Sequence, residues 1–331
     1  MIRVGVAGWD YPDWAGILYP SPLPKGFDRL SFLAGFFDAI EINVTFYRQI
    51  EPKTCASWVE RIPSNHPFLF TAKLYQVLTH ARTSSLSVGR RAEAARSRDQ
   101  ARSGDRTADE LQGEARAYLE GIRPLSDSGR LRAVLMQFPH AFHDTTGNRA
   151  HLALLAEILP GLPLVAEFRH RSWDNEGALA FLKSLGVGFC NIDQPELGST
   201  LRPSEHVTSP VAYIRLHGRN ARSWFGRERG ESLPERPAGS ARYDYFYSMA
   251  ELQPWVERAR RMSAGAEEVF IIANNHYRGK GPANAFMLKS ALGARPVRAP
   301  ADLVAAYPDL REVAEPVESR AGRRPRQGRL F

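Results

Sequence analysis

The chain has 331 residues, a hydrophobic fraction of 43%, two cysteines and a formal charge of +8. This composition supplies a sizeable core and excludes a disulfide scaffold, and no stretch approaches the ~18 apolar residues of a membrane span. The basic balance favours anionic partners, whether phosphorylated metabolites, nucleic acid or acidic surfaces, and says nothing about fold.

The N-terminus, MIRVGVAGW, has no basic segment followed by a long apolar run and a small-residue cleavage site. Cys55 and Cys190 sit in neither a CxxC pair nor a metal-ligand cluster, so both read as buried thiols in a reducing compartment. A cytoplasmic location is expected.

Short apolar runs recur along the chain: 2–7, 39–43, 68–73, 133–138, 164–168, 187–192, 211–217 and 269–274. Runs of this kind suit parallel strands buried on both faces. Helical patterns precede most of them, at 30–37, 54–62, 149–159, 176–185 and 251–264. Eight strand–helix alternations point to a single α/β domain, a (β/α)₈ TIM-type barrel, which needs about 250 residues. No GxGxxG follows the first strand, which weakens a dinucleotide fold.

Residues 1–295 are expected to form the barrel and 296–331 a C-terminal extension ending in a basic, disordered tail. Residues 84–130, dense in Arg, Ala, Ser, Glu and Asp, read as a charged helical insertion.

Strand side chains alternate between faces, so residues two apart share one. Polar residues share a phase at each strand end: Glu41 with Asn43, Thr71 with Lys73, Glu167 with Arg169, Asn191 with Asp193, and Tyr213 with Arg215, His217 and Arg219. If that phase faces inward, they converge at the C-terminal mouth, where barrel enzymes place their sites.

Glu41, Lys73, Glu167, Asp193 and His217 are the catalytic candidates. Arg169, Arg215, Arg219 and His80 add cationic or titratable character, so the ligand should be anionic. Trp9, Tyr11, Trp14, Tyr47 and Trp173 follow strands and are placed to wall the mouth. Asn274, Asn275 and His276 end the last strand; a Gly-rich loop with Arg278 and Lys280 follows, and Asn284 opens a helix whose N–H groups suit an anion.

The cofactor is unknown. Glu41, Glu167, Asp193, His217 and His276 offer oxygen and nitrogen ligands for a divalent metal, without a local metal motif. Glu41 with Glu167 or Asp193 could instead form an acid/base pair of the glycosidase kind.

The stretches GWDYPDWAGILYP, FFDAIEINVTFYR, FLFTAKLYQVLTH, LMQFP, AEFRHRSW, YIRLHGR and ANNHYRGKGPANA together resemble the YecE-like family, also called domain of unknown function 72. The resemblance runs from Val4 to about Leu292 and implies a TIM barrel with a polar C-terminal pocket, but no reaction. Among the positions it implies are Trp9, Glu41, Asn43, Tyr47, Lys73, His80, Gln137, Glu167, Arg169, Trp173, Asp193, Arg215, His217, Arg219, Asn274, Asn275 and Asn284. The chain departs from the family pattern in segment 84–130 and in GVAGW, where Ala7 replaces a common hydroxyl residue.

The chain ends Gln327-Gly328-Arg329-Leu330-Phe331. This Q-x-x-L-F pattern resembles the peptide with which bacterial replication and repair proteins dock on the sliding clamp. The expected function is therefore a hydrolase-like, phosphoesterase-like enzyme on a phosphate-bearing substrate linked to nucleic-acid repair or replication. The alternatives are a carbohydrate enzyme using a carboxylate pair and a noncatalytic anion- or protein-binding module.

Overall fold

Eight parallel strands close a barrel: β1 (Ile2–Ala7), β2 (Ala39–Ile42), β3 (Leu69–Lys73), β4 (Leu131–Gln137), β5 (Leu164–Glu167), β6 (Gly188–Asp193), β7 (Val211–Leu216) and β8 (Glu268–Ala273). Each pairs with its sequence neighbours, and β8 returns to β1. The barrel read from the apolar runs is the observed fold. The computed structural model describes residues 1–80, 82–83, 105–221 and 240–318. The clamp-like peptide with Gln327, Leu330 and Phe331 lies outside these residues, as do residues 84–104 of the charged segment.

Helices α1 (Arg29–Ala34), α2 (Val44–Tyr47), α3 (Pro52–Glu60), α4 (Gln76–His80), α5 (Ala108–Asp127), α6 (Thr146–Ile158), α7 (Glu176–Ser184), α8 (Met249–Met262) and α9 (Lys280–Ala291) occur between or after the strands. Their starts are set by side chains. Asp28 accepts from the backbone N–H groups of Leu30 and Ser31, and Thr107–Glu110 and Ser248–Glu251 form capping boxes at α5 and α8.

The second half of the expected insertion is not an insertion. Helix α5 is the regular crossover from β3 to β4, and it buries Leu111, Ala115, Tyr118, Ile122 and Leu125 on one stripe. Their spacing is helical, and each large apolar side chain contributes roughly 1.5–3 kcal/mol on full burial. The charged residues between them obscured that stripe.

The C-terminal extension also joins the barrel core. Val297, Ala299, Leu303, Val304 and Leu310 are buried in the same apolar cluster as the strands. Short strands Arg298–Pro300 and Glu315–Val317 pair in parallel around α10 (Ala301–Ala306). Among the described residues no helix is long and apolar enough to cross a membrane.

One close approach locks α5 in place. A Cβ on Gly121 would stand 2.1 Å from the carbonyl oxygen of Ile50. Gly121→Ala should therefore cost about 1–3 kcal/mol through overpacking. Gly113→Ala, on the same helix with nothing within 4 Å, should be neutral or stabilising by up to about 1 kcal/mol. Urea unfolding midpoints of the two variants check this contrast.

Candidate active site

The centre of the barrel mouth is a buried guanidinium. Arg215 ends β7 with its side chain fully enclosed. One terminal nitrogen donates to Glu41 Oε1 at 2.6 Å and the other to Glu167 Oε2 at 2.5 Å. The second oxygen of Glu41 accepts from the Tyr213 hydroxyl at 3.0 Å, and Tyr213 also meets Thr71 Oγ1 at 2.7 Å. The second oxygen of Glu167 pairs with Arg169 at 2.5 Å. Three of the four carboxylate oxygens thus accept a hydrogen bond, and the fourth, Glu167 Oε1, has the Arg169 ion pair but no hydrogen bond among the described residues.

Strand register explains the convergence. Paired residues of neighbouring strands face the same way, so Ala7 lies beside Glu41, Glu41 beside Thr71, and Gln137 beside Glu167. His217 follows Arg215 on the same phase. Its Nδ1 accepts from the Asn274 amide at 2.9 Å, and its Nε2 stands 3.4 Å from Glu167 Oε1. Burial and the neighbouring Arg169 push this imidazole well below its usual range, against the pull of Glu167. For Glu167, burial would raise the carboxyl, but Arg169 and Arg215 outweigh it and hold it well below the usual range.

Above this buried layer lies a rim. Lys73, at the end of β3, is 7% exposed, with its ammonium 5.5 Å from the centre of the Phe46 ring. Burial, reinforced by Arg215 and partly opposed by Glu41 and Glu167, pushes its amine down to about 8. His276 stacks on Tyr11 at 4.2 Å and meets the tilted ring of Tyr243 at 4.7 Å. Burial and the charge of Lys73 push His276 down to about 4. Asn43 donates to the Tyr11 hydroxyl, which itself donates to the Ala7 carbonyl.

Tyr47 is 65% exposed beside Phe46, and the exposed His80 packs edge-on against the same Phe46 ring. Three enclosed rim atoms, Asn43 Oδ1, Gln137 Oε1 and His276 Nδ1, have no hydrogen-bond partner among the described residues. Each such atom costs about 1–3 kcal/mol, which a bound ligand or water can offset.

Several expected residues are not brought to the mouth. On β6, Cys190 pairs in register with Tyr213 and Ile192 with Arg215, so these two face inward. Asp193 pairs with Leu216 and faces the helix layer, where it accepts from Trp255 Nε1 at 2.6 Å, the Tyr247 hydroxyl at 2.9 Å and Arg219 at 2.7 and 2.9 Å. Arg219 leaves the strand phase because Gly218 takes a positive φ of 91°. It is therefore spent on Asp193 and Glu251 rather than on the mouth.

Trp173 is fully buried against Phe168 and Phe142, and Trp14 donates from beneath the rim to the His276 carbonyl. Trp9 stands edge-on to Trp58 and lines a cleft of about 400 Å³ with Asp10, Arg29 and Arg61. Asn275 and Asn284 bond each other and tie down the Tyr245 and Tyr247 backbone. Helix α9 begins at Lys280, not Asn284, and the Lys280 side chain is ion-paired with Asp244.

Residues 3–306 match the family model described as a protein of unknown function, DUF72. The chain belongs to the DUF72 family. It is similar to the UPF0759 protein YunF of Bacillus subtilis (strain 168), with 26% identity covering 86% of this chain and 92% of that one. A DUF72 family protein from Thermotoga maritima MSB8 superposes with a TM-score of 0.71 at 28% identity, covering 89% of this chain and all of that one. One from Enterococcus faecalis V583 superposes at 0.68 and 24% identity, covering 89% of this chain and 96% of that one.

In this DUF72 protein the candidate metal ligands Glu41, Glu167, Asp193, His217 and His276 do not form one cluster. Among the described residues no group of three or more His, Cys, Asp or Glu side chains is disposed to hold a metal ion. Glu41 and Glu167 close on the Arg215 guanidinium, a fixed cation lying between them, and Asp193 is on the other side of the sheet.

Strand phase overlooked Cys190, whose thiol lies 4.0 Å from Glu167 Oε2, because its phase partners are apolar. Burial, with Glu167 beside it, pushes this thiol well above its usual range. Tyr243 and Phe46 were also missed, since nothing in their local sequence marks a rim position.

Removing Arg215 would leave two enclosed carboxylates short of a partner. Arg215→Met should cost about 3–5 kcal/mol in chemical denaturation. The depressed Glu167 carboxyl adds a pH signature. Its stabilisation is complete above the ordinary value of 4.5 and fades as pH falls below it towards the folded value. Acid-unfolding curves should be shallower in that window for Glu167→Gln than for the unsubstituted protein.

Proposed function

We propose that the barrel mouth is the active site of an enzyme acting on a small anionic substrate, with Lys73 and Arg169 holding its charge. One observation carries this reading. The carboxylates are engaged by Arg215, Arg169 and Tyr213, and Lys73 remains as a further cation with no carboxylate partner among the described residues. The inner site thus holds three cations against two anions, because burial keeps His217 and His276 neutral at pH 7. Desolvated cations in such surplus favour phosphate or carboxylate oxygens.

Burial divides the roles. Glu41, Glu167, Arg215 and His217 are fully enclosed, so they position the rim and set its field. Lys73 titrates near neutrality and can exchange a proton with a substrate. A hydrolytic reaction with Glu167 as base draws little support from a carboxylate held so far below its usual range. A glycosidase pair needs its two carboxyls free to flank the scissile bond, whereas Glu41 and Glu167 are both enclosed and both bonded to Arg215. Trp173, one of the two expected sugar platforms, lies inside the helix layer.

Sulfate, whose charge is constant between pH 6 and 9, is a suitable probe. Calorimetry should show binding that weakens as pH rises through and beyond about 8, where Lys73 loses its proton. Lys73→Met and Arg169→Met should each weaken binding roughly tenfold or more, as expected for a charge-assisted hydrogen bond. Arg219→Ala should stay within about twofold, since its guanidinium is committed elsewhere. Sulfate binding that ignores both rim substitutions would overturn the proposal.

A further inference from the structure

We propose that the Lys73 amine is a nucleophile that forms an imine with the carbonyl carbon of a small 2-oxo acid or another anionic carbonyl compound. The first argument is residue choice. The chain contains 38 arginines and only six lysines. Where this pocket needs permanent charge it uses arginine, at 169 and 215. Lysine is the cationic side chain that can surrender its proton and attack carbon; arginine cannot.

The second argument is placement. Lys53, Lys280 and Lys289 are ion-paired with Glu51, Asp244 and Asp38. Lys73 is buried, faces the mouth, and has no hydrogen bond or ion pair to its Nζ among the described residues; Phe46 is its aromatic neighbour. Its backbone is held from behind. The Lys73 carbonyl accepts from Thr45 Oγ1 at 2.7 Å and from the Tyr118 hydroxyl at 3.0 Å, and both donors are buried. The root of the side chain is therefore fixed while its tip stays available.

The third argument is the field. The charged groups around the amine are Arg215 from β7, Glu41 from β2, and Glu167 and Arg169 from the end of β5, with the His276 ring also close enough to feel its charge. Both carboxylates are spent on guanidinium groups, so they cannot fully neutralise the ammonium. With the amine at about 8, roughly a tenth of molecules carry it neutral at pH 7, against about one in three thousand for an ordinary lysine.

The step balances without an oxidant or reductant. The neutral nitrogen attacks the carbonyl carbon, forming a C–N bond as the C=O π pair moves to oxygen. The oxygen then leaves as water, carrying both hydrogens from the amine nitrogen, and a C=N bond remains. Arg169 would hold the carboxylate of the substrate, and in that clause the proposal rests on the anionic-substrate reading above.

The test traps the imine with a chemical hydride. Full-length protein is incubated with glyoxylate or pyruvate and sodium cyanoborohydride, then analysed by intact mass and peptide mapping. Apart from the ordinary reaction of the N-terminal amine, which peptide mapping sets aside, one adduct is expected, on Lys73, forming faster as pH rises from 6 towards 8, suppressed by sulfate and absent in Lys73→Arg. Labelling in urea should instead spread over all the lysines, which controls for variants that fail to fold.

Absence of an adduct in the folded protein, or equal labelling of Lys25, Lys53 and Lys183, would overturn the imine. Sulfate binding with no adduct would refute the imine alone. A Lys73 adduct with uncharged propanal as readily as with glyoxylate, and no sulfate binding, would refute the anionic reading and keep the nucleophile.

Discussion

The Arg215 guanidinium between Glu41 and Glu167 is the constraint on which the site depends. Three strands, β2, β5 and β7, deliver these groups into one enclosed volume. Taking such charges out of water costs several kcal/mol per ion, and only good geometry with satisfied oxygens offsets it. Here three of the four carboxylate oxygens accept a hydrogen bond and the fourth is ion-paired with Arg169, so the cluster depends on this arrangement. That arrangement fixes the positions of Tyr213, Thr71, Arg169 and His217 around it.

This buried layer and the rim above it have separate tasks. The enclosed groups set a positive field and hold side chains in place. The rim, built from Lys73, Arg169, Asn43, Gln137, His276 and Tyr47, is where a molecule from solvent would be met. Burial, reinforced by the neighbouring Arg215, lowers the proton affinity of Lys73. The opposite end of the barrel is closed by ordinary ion pairs, Arg3 and Arg132 with Glu268.

Much of the site was legible in the chain. Glu41, Lys73, Glu167, Arg215 and His217 were found by strand phase, because buried strands otherwise carry apolar residues on both faces. The same rule misled on β6. Polarity selected Asn191 and Asp193, but the polar face there looks outward into the helix layer, where Trp255, Tyr247 and Ser204 satisfy it. Helix α5 was read as part of an insertion because its charged residues outnumber the apolar stripe that docks it.

By itself the sequence determined the eight-strand alternation, the barrel and the pairs of residues that share a face, since these follow from local periodicity. Tertiary structure decided which face is inward, through register between strands distant in sequence. It also decided where the chain leaves strand phase at Gly218, and which charges neutralise one another. Periodicity of two relates neighbours within a strand and carries no information about the barrel axis. The distinction between Arg215, locked and buried, and Lys73, buried with no counter-ion among the described residues, exists only once the strands have closed.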